Sequence, residues 1–149
     1  MKQRVQVSKN FYLDEFIPKE LWYDQPNWKL FRCIDPRLFP LHQKVRERHG
    51  AMTMNNHIHG GNRNESGLRI VRHTYYNIFS DHSYGRAGDS VLDKDIREVW
   101  EDIRKNYTRI YQPLGLTAIE VGKTITWLHM GIGNMLSNDL FEIKVGEQW

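Results

Sequence analysis

The chain has 149 residues, of which 40% are hydrophobic and 26% are charged, a composition typical of a globular protein and not of a disordered segment. This length predicts a single domain that spans residues 1–149. The net charge of +3 is scattered along the chain, which argues against a nucleic-acid-binding arm.

The first third of the chain is predicted to contain one regular helix. Residues 8–21 combine N-cap candidates with apolar anchors and predict a helical start, whereas the prolines that follow predict loops or irregular turns over residues 22–36. Residues 36–49 predict a helix, because apolar side chains recur every three or four positions and Gly50 supplies a C-cap. Residues 51–56 then predict a strand.

The rest of the chain predicts strands around one amphipathic helix. A strand is predicted over residues 88–92, and the helix is predicted to open at Asp93 or Asp95 and to end at Pro113 and Gly115. Period-two alternation predicts three further strands, at residues 116–121, 123–132 and 141–145. We therefore expect an α+β fold, with a small antiparallel sheet and helices packed on one side.

Two short segments carry the clearest chemistry. Residues 80–89 read Ser-Asp-His-Ser-Tyr-Gly-Arg-Ala-Gly-Asp, and Trp127-x-His129 follows about forty residues later. His82, Asp89 and His129 supply two imidazoles and a carboxylate, the three protein ligands of a hydrolytic zinc site that keeps one coordination position open. Alternation along the later strand puts Trp127 on the same face as His129, as an apolar wall of the site.

Simpler interpretations stay open for these residues. Each histidine can be an ordinary polar residue, and Asp89 can cap the segment that follows it. His57 and His59 form an alternative metal pair, although a histidine pair on a loop near the rim of a cleft is the simpler interpretation. The combination of two histidines, an aspartate and intervening glycines favours metal binding at the first set.

The segment at 80–89 matches the pattern S-x-H-x-x-G-x-A-x-D at every fixed position. In this motif the chain resembles the D-Ala-D-Ala carboxypeptidase-like zinc peptidases, whose fold group includes phage endolysins and the hedgehog signalling domain. Residues 10–16 also look like the opening segment of the family. Similarity to a phage-encoded branch lies in residues 52–56, 60–61, 67–69, 119–120 and 127–129. The resemblance implies the hedgehog/DD-peptidase fold.

The resemblance also implies roles for the residues around the metal. The zinc ligands that it implies are His82, Asp89 and His129. Arg69 would hold a substrate carboxylate or carbonyl and stabilise a developing oxyanion, with a surface ion pair as the alternative. Ser80 would hydrogen-bond near the ligand loop or to the substrate, or else form a turn. Trp127 is placed at the substrate cleft by strand alternation and not by the resemblance.

The general base is marked less clearly. Many members of the family carry a glutamate three residues before the last histidine, where this chain has Thr126. Glu120 is the best candidate, because the phage-like branch has an acid on the strand that leads into that histidine; a solvated strand glutamate is the alternative. The position two residues after the histidine is often aspartate in relatives and is Gly131 here, which predicts weaker support of the ligand.

The function that the resemblance implies is a zinc-dependent peptidase of peptidoglycan stem peptides, cleaving at D-Ala-D-Ala or at L-Ala-D-Glu and encoded by a phage or prophage. A non-hydrolytic recognition or virion-structural module that keeps the metal is the alternative.

The sequence also bears on redox chemistry and location. Cys33 is the single cysteine, so an internal disulfide and a cysteine-based zinc cluster are excluded. The N-terminus lacks a signal-peptide core, and no segment approaches membrane-spanning length. We expect cytoplasmic synthesis and action at the bacterial cell wall or in a virion, with a holin-type export partner in the first case.

Overall fold

A computed structural model describes residues 2–146 of the chain. Within this range the chain forms four α-helices and one five-stranded sheet, which confirms the predicted α+β class. The helices are α1 Lys19–Asp24, α2 Asn27–Phe31, α3 Leu38–His49 and α4 Ile96–Asn106. The strands are β1 Met52–Thr53, β2 Ala87–Leu92, β3 Ala118–Val121, β4 Leu128–Gly131 and β5 Phe141–Lys144. None of the helices in this range has both the length and the apolar character that a membrane crossing needs.

The strand order in the sheet is β1-β2-β4-β3-β5. The first three pairings are antiparallel, but β5 runs parallel to β3, so the prediction of a wholly antiparallel sheet is wrong at this edge. Gly131 at the end of β4 pairs with Ala118 at the start of β3. The loop over residues 132–140 then brings Phe141 beside Ala118 from the other side. Because β5 starts at the same end as β3, the two strands run in the same direction.

Short helices replace the irregular segment predicted over residues 22–36. α1 and α2 each begin directly after a proline, Pro18 and Pro26, and both prolines have φ of −69°, close to the value that the ring imposes. A proline is tolerated at this position because the first N–H groups of a helix have no partner within the helix. The helical start predicted over residues 8–21 shrinks to the 3-10 turn Leu13–Glu15 and part of α1.

The two longer predicted helices are confirmed. α3 ends at Gly50, which adopts φ of 95° as its C-cap. α4 begins after Asp95, whose side chain accepts the N–H of Arg97 as an N-cap. Beyond α4 the chain continues through the π-helical turn Tyr107–Tyr111 and ends this helical region at Gly115.

The middle of α3 packs against the sheet, and its end contacts α4. Arg48 and His49 at the end of α3 both bond the carboxylate of Asp102 in α4, with His49 Nε2 2.9 Å from Oδ2 of Asp102. In the middle of α3, Nε2 of His42 lies 2.6 Å from the point that a Cβ on Gly88 of β2 would occupy. Since side chains alternate along a strand, the residue after Gly88 points to the opposite face.

A glycine turn fixes the loop that precedes β2. Gly85 has φ of 65° and ends the 3-10 helix Asp81–Tyr84. A Cβ at this position would lie 1.8 Å from the carbonyl oxygen of Cys33, so a larger residue does not fit. The carbonyl of Gly85 accepts the N–H of Asp35 at 2.9 Å. The segment that carries His82 is thereby held against the N-terminal half of the chain.

A buried histidine, His42, links the stability of the fold to pH. Its Nδ1–H donates to the carbonyl of Leu38 at 2.8 Å, and its buried Nε2 has no hydrogen-bond partner among residues 2–146. Burial lowers the pKa of His42 to about 4 from the ordinary value of 6.5. Between these two pH values the unfolded chain therefore binds a proton at residue 42 and the folded chain does not.

We expect this histidine to lower the free energy of unfolding by about 3 kcal/mol as the pH falls from 6.5 to about 4. The sign follows because the unfolded state binds more protons in this range, so stability rises with pH. Urea unfolding across the range measures the effect. His42→Gln removes the titrating group and keeps an N–H for the carbonyl of Leu38, so its stability should change less with pH. An equal pH dependence in both proteins would contradict the assignment.

Candidate metal centre

Three neighbouring strands place a row of polar side chains on the face of the sheet away from α3. In the antiparallel pair β2–β4, Asp89 lies directly opposite His129, so both side chains point to the same face. The pairing of Ile119 with Met130 in β3 and β4 brings Glu120 to the position beside His129. Oε1 of Glu120 lies 4.0 Å from Nδ1 of His129. The sheet register therefore assembles two acids around one imidazole.

His82 reaches this row from the 3-10 helix that precedes β2. Ser80 caps that helix by accepting the N–H of His82 at 3.3 Å, so its hydroxyl supports the ligand loop. The Nδ1–H of His82 donates to the carbonyl of Gly67 at 2.7 Å. This contact fixes the orientation of the buried ring and turns Nε2 toward the row.

The structure brings together the three predicted ligands, His82, Asp89 and His129, all of them buried. Nε2 of His82 lies 3.2 Å from both Oδ1 of Asp89 and Nδ1 of His129, and these last two atoms are 2.8 Å apart. Ligands about 2.0–2.2 Å from one metal and about 90–110° apart are separated by about 2.8–3.6 Å. The three atoms therefore form a face on which a small divalent cation fits.

The hydrogen bond to Gly67 explains why this face suits a cation. A carbonyl only accepts, so the bond assigns the proton of neutral His82 to Nδ1 and leaves a lone pair on Nε2. This lone pair faces a carboxylate oxygen and a second imidazole nitrogen. Electron-rich atoms at this spacing repel each other unless a proton or a metal ion lies between them. Two imidazoles and a carboxylate are ligands for zinc and for other first-row metals.

The charges within the triad depend on one another. Burial acts against the charge of Asp89, but the hydrogen bond from His129 and the charge of that ring hold the pKa of Asp89 well below its usual value. Burial also acts against a charged His129, yet the hydrogen bond to Asp89 and its charge raise the pKa of His129 overall. A proton on His129 balances the ionised Asp89, and a bound metal would take the place of this proton.

Arg69 holds the second oxygen of Asp89. Its Nη2 donates to Oδ2 of Asp89 at 2.7 Å, and its Nε donates to the carbonyl of Glu65 at 2.9 Å. The side chains of Arg69 and Asp89 are only 15% and 13% exposed, so this ion pair is not the surface pair considered from the sequence. Arg69 thus keeps Oδ1 of Asp89 turned toward the two histidines.

Replacing Arg69 by alanine is expected to weaken zinc binding by about 10–100-fold, the usual cost of losing a group that orients a ligand. Competition with a chromophoric chelator measures the affinity. Arg63→Ala is the matched control. The guanidinium of Arg63 donates to the carbonyl of Met54 and the hydroxyl of Ser66, and not to a ligand side chain, so this change should leave zinc affinity as in the wild type. Equal zinc affinity in Arg69→Ala and the wild type would show that Arg69 does not position the ligand.

A cleft of about 520 Å³ lies in front of the site. Asp89, Glu120 and Trp127 line it, together with Tyr75, which is 69% exposed. The indole N–H of Trp127 donates to Oε2 of Glu120 at 3.1 Å, while Oε1 is the oxygen near His129. Trp127, predicted as an apolar wall, therefore also orients the candidate base.

Arg63 is a residue of this cleft that sequence reasoning missed. It lines the cleft and an adjoining pocket of about 270 Å³, and both spaces also reach Arg69 and Asp89. Its Nε and Nη2 donate to the carbonyl of Met54 and the hydroxyl of Ser66, each at 3.0 Å. No local signal marks this arginine, because it lies in a polar loop whose course depends on contacts distant in the sequence.

No protein-family model, curated protein or solved structure matches the chain. The triad of His82, Asp89 and His129 is therefore a candidate metal centre on its own geometry. The resemblance carried by residues 80–89 supports a proposal about its activity.

Proposed function

We propose that the protein is a zinc-dependent peptidase that hydrolyses peptidoglycan stem peptides. The observation that carries the proposal is the position of Glu120, whose carboxylate lies 4.0 Å from Nδ1 of His129 in the cleft that also reaches Asp89. Three ligands with an acid beside them are the protein groups that a hydrolytic zinc centre needs. The motif at residues 80–89 supports the same activity through its resemblance to zinc peptidases.

The residues of the site divide the chemistry between them. His82, Asp89 and His129 would hold the zinc ion. When bound, zinc polarises a peptide carbonyl and lowers the pKa of a coordinated water to about 7. Glu120 takes a proton from the attacking water and gives it to the leaving amine. Trp127 engages one oxygen of Glu120, so the other stays directed at the site.

Two arginines favour a substrate with a carboxylate next to the scissile bond. Arg63 and Arg69 both line the cleft beside Asp89, and a guanidinium binds a carboxylate through two parallel hydrogen bonds. At D-Ala-D-Ala and at L-Ala-D-Glu alike, the residue after the scissile bond carries a free α-carboxylate. Arg63 and Arg69 together would bind this group, which extends the substrate role predicted for Arg69 alone.

The biological setting follows from the same resemblance. A phage or prophage origin, action at the cell wall, and delivery by a holin-type partner or within a virion are part of the proposal. The competing function is a recognition or virion-structural module that keeps the metal and the cleft but does not hydrolyse its ligand.

Mass spectrometry of peptidoglycan stem peptides incubated with the zinc-loaded protein tests the proposal. We expect new fragments whose masses identify the cleaved bond, and we expect none with His82→Ala. Binding of the peptides by a folded, zinc-loaded wild type without any cleavage would support the recognition module. If the protein neither binds nor cleaves the peptides, stem peptides are not its ligand.

A further inference from the structure

The carboxylate of Asp81 lies against two glycines at the end of β4. A Cβ built on Gly131 would lie 3.0 Å from Oδ2 of Asp81, and one built on Gly133 would lie 2.7 Å from the same atom. Both glycines therefore leave room that the carboxylate of Asp81 fills. Asp81 is the residue directly before the ligand His82.

The same space adjoins the outer nitrogen of His129. Nε2 of His129 lies 3.5 Å from the Cβ position of Gly131, because residues 129 and 131 share one face of β4. Oδ2 of Asp81 and Nε2 of His129 therefore lie 3.0 Å and 3.5 Å from the same point.

A metal-binding histidine needs a partner for its second ring nitrogen. His129 faces the triad through Nδ1, so as a neutral ligand it carries its proton on Nε2. Metal-bound histidines commonly donate this second N–H to a carboxylate, a carbonyl or water, which fixes the ring and raises its basicity. The carbonyl of Gly67 is this partner for His82.

We propose that Asp81 is the positioning residue for His129: its carboxylate accepts the Nε2–H of His129, directly or across one water, when Nδ1 binds the metal. Asp81 thus supplies from the preceding loop the support that the sequence predicted to be weaker because residue 131 is glycine. The inference rests on the proposed metal centre and not on the peptidase activity. In this arrangement the loop that carries the ligand His82 also carries the residue that supports the ligand His129.

Zinc affinity, measured by competition with a chelator, tests the proposal without any assay of hydrolysis. Asp81→Ala is expected to weaken zinc binding by about 10–100-fold. Asp81→Asn keeps an oxygen acceptor and should lose much less. Asp93→Ala, at an exposed position after β2, is the matched control and should bind zinc as the wild type does. Circular dichroism confirms that each variant is folded.

A second test removes the carboxylate at residue 81 and introduces one at residue 131 of β4, which borders the same space. In Asp81→Ala the space in front of Gly131 is freed, and Gly131→Asp in that background would place a carboxylate beside Nε2 of His129. We expect the double variant to bind zinc more tightly than Asp81→Ala alone. Nitrogen-15 chemical shifts of the imidazole, which report the tautomer, should show the His129 proton on Nε2 in the zinc-loaded wild type.

Three results would overturn the proposal. The first is a folded Asp81→Ala with wild-type zinc affinity. The second is an equal loss in Asp81→Asn and Asp81→Ala, which would assign the effect to charge and not to a hydrogen bond. The third is a folded double variant that binds zinc no better than Asp81→Ala. Zinc binding as expected but no peptide cleavage would contradict the proposed activity and leave the role of Asp81 supported.

Discussion

Replacing His82 by alanine is expected to weaken zinc binding by more than about 100-fold. Loss of a residue that only supports a ligand costs about 10–100-fold, and His82 is itself a ligand. The change removes the ligand whose Nε2 lies 3.2 Å from both other ligand atoms and leaves only two protein ligands. Zinc at about 1,000 times its Kd should stabilise the wild type by about 4 kcal/mol. Thermal unfolding with and without the same zinc concentration should show this stabilisation in the wild type and at most about 1.4 kcal/mol in the variant, whose Kd is then exceeded no more than about 10-fold.

His59→Ala is the control for this experiment. His59 lies in the 3-10 turn His57–His59, apart from the triad, and its loss should leave zinc affinity unchanged. A His82→Ala protein that binds zinc as tightly as the wild type would show that the triad is not the metal site. A loss confined to His59→Ala would point to the histidine pair at 57 and 59 instead.

Replacing Glu120 by glutamine is expected to lower kcat on stem peptides by about 10²–10⁴-fold while zinc stays bound. Glutamine keeps the length of the side chain and still accepts the indole N–H of Trp127, so the cleft should keep its shape. What it loses is the ability to take a proton from water. Steady-state kinetics together with zinc content separate this effect from loss of the metal.

Glu98→Gln provides the matched control, since Glu98 is a 61% exposed glutamate on α4 that pairs with Lys94. It should hydrolyse the substrate at the wild-type rate. If Glu120→Gln retained both zinc and wild-type kcat, Glu120 would be a solvated strand glutamate as the simpler interpretation holds. The general base would then have to come from another residue of the cleft.

The parts of the fold that the sequence predicted correctly depend on local signals. α3 and α4 were predictable because apolar periodicity and their caps at Gly50 and Asp95 lie within one helix length. The helix α2 and the last turn of α1 lie in residues 22–36, where loops or irregular turns were predicted, since a proline marks the end of one element or the start of the next equally well. β5 was predicted as a strand, but its parallel pairing with β3 depends on the path of the loop over residues 132–140.

The sequence by itself determined the chemistry available to this protein: two histidines and an aspartate in a glycine-bearing motif, and an acid on the strand leading to the second histidine. Residue type and spacing are enough for that, because they decide which ligands exist. The tertiary structure decided which other side chains contact these ligands. The contact of Arg69 with Asp89, the approach of Glu120 to His129, and the position of Asp81 all join residues from separate elements. Such contacts depend on sheet register and loop packing, which no local pattern records.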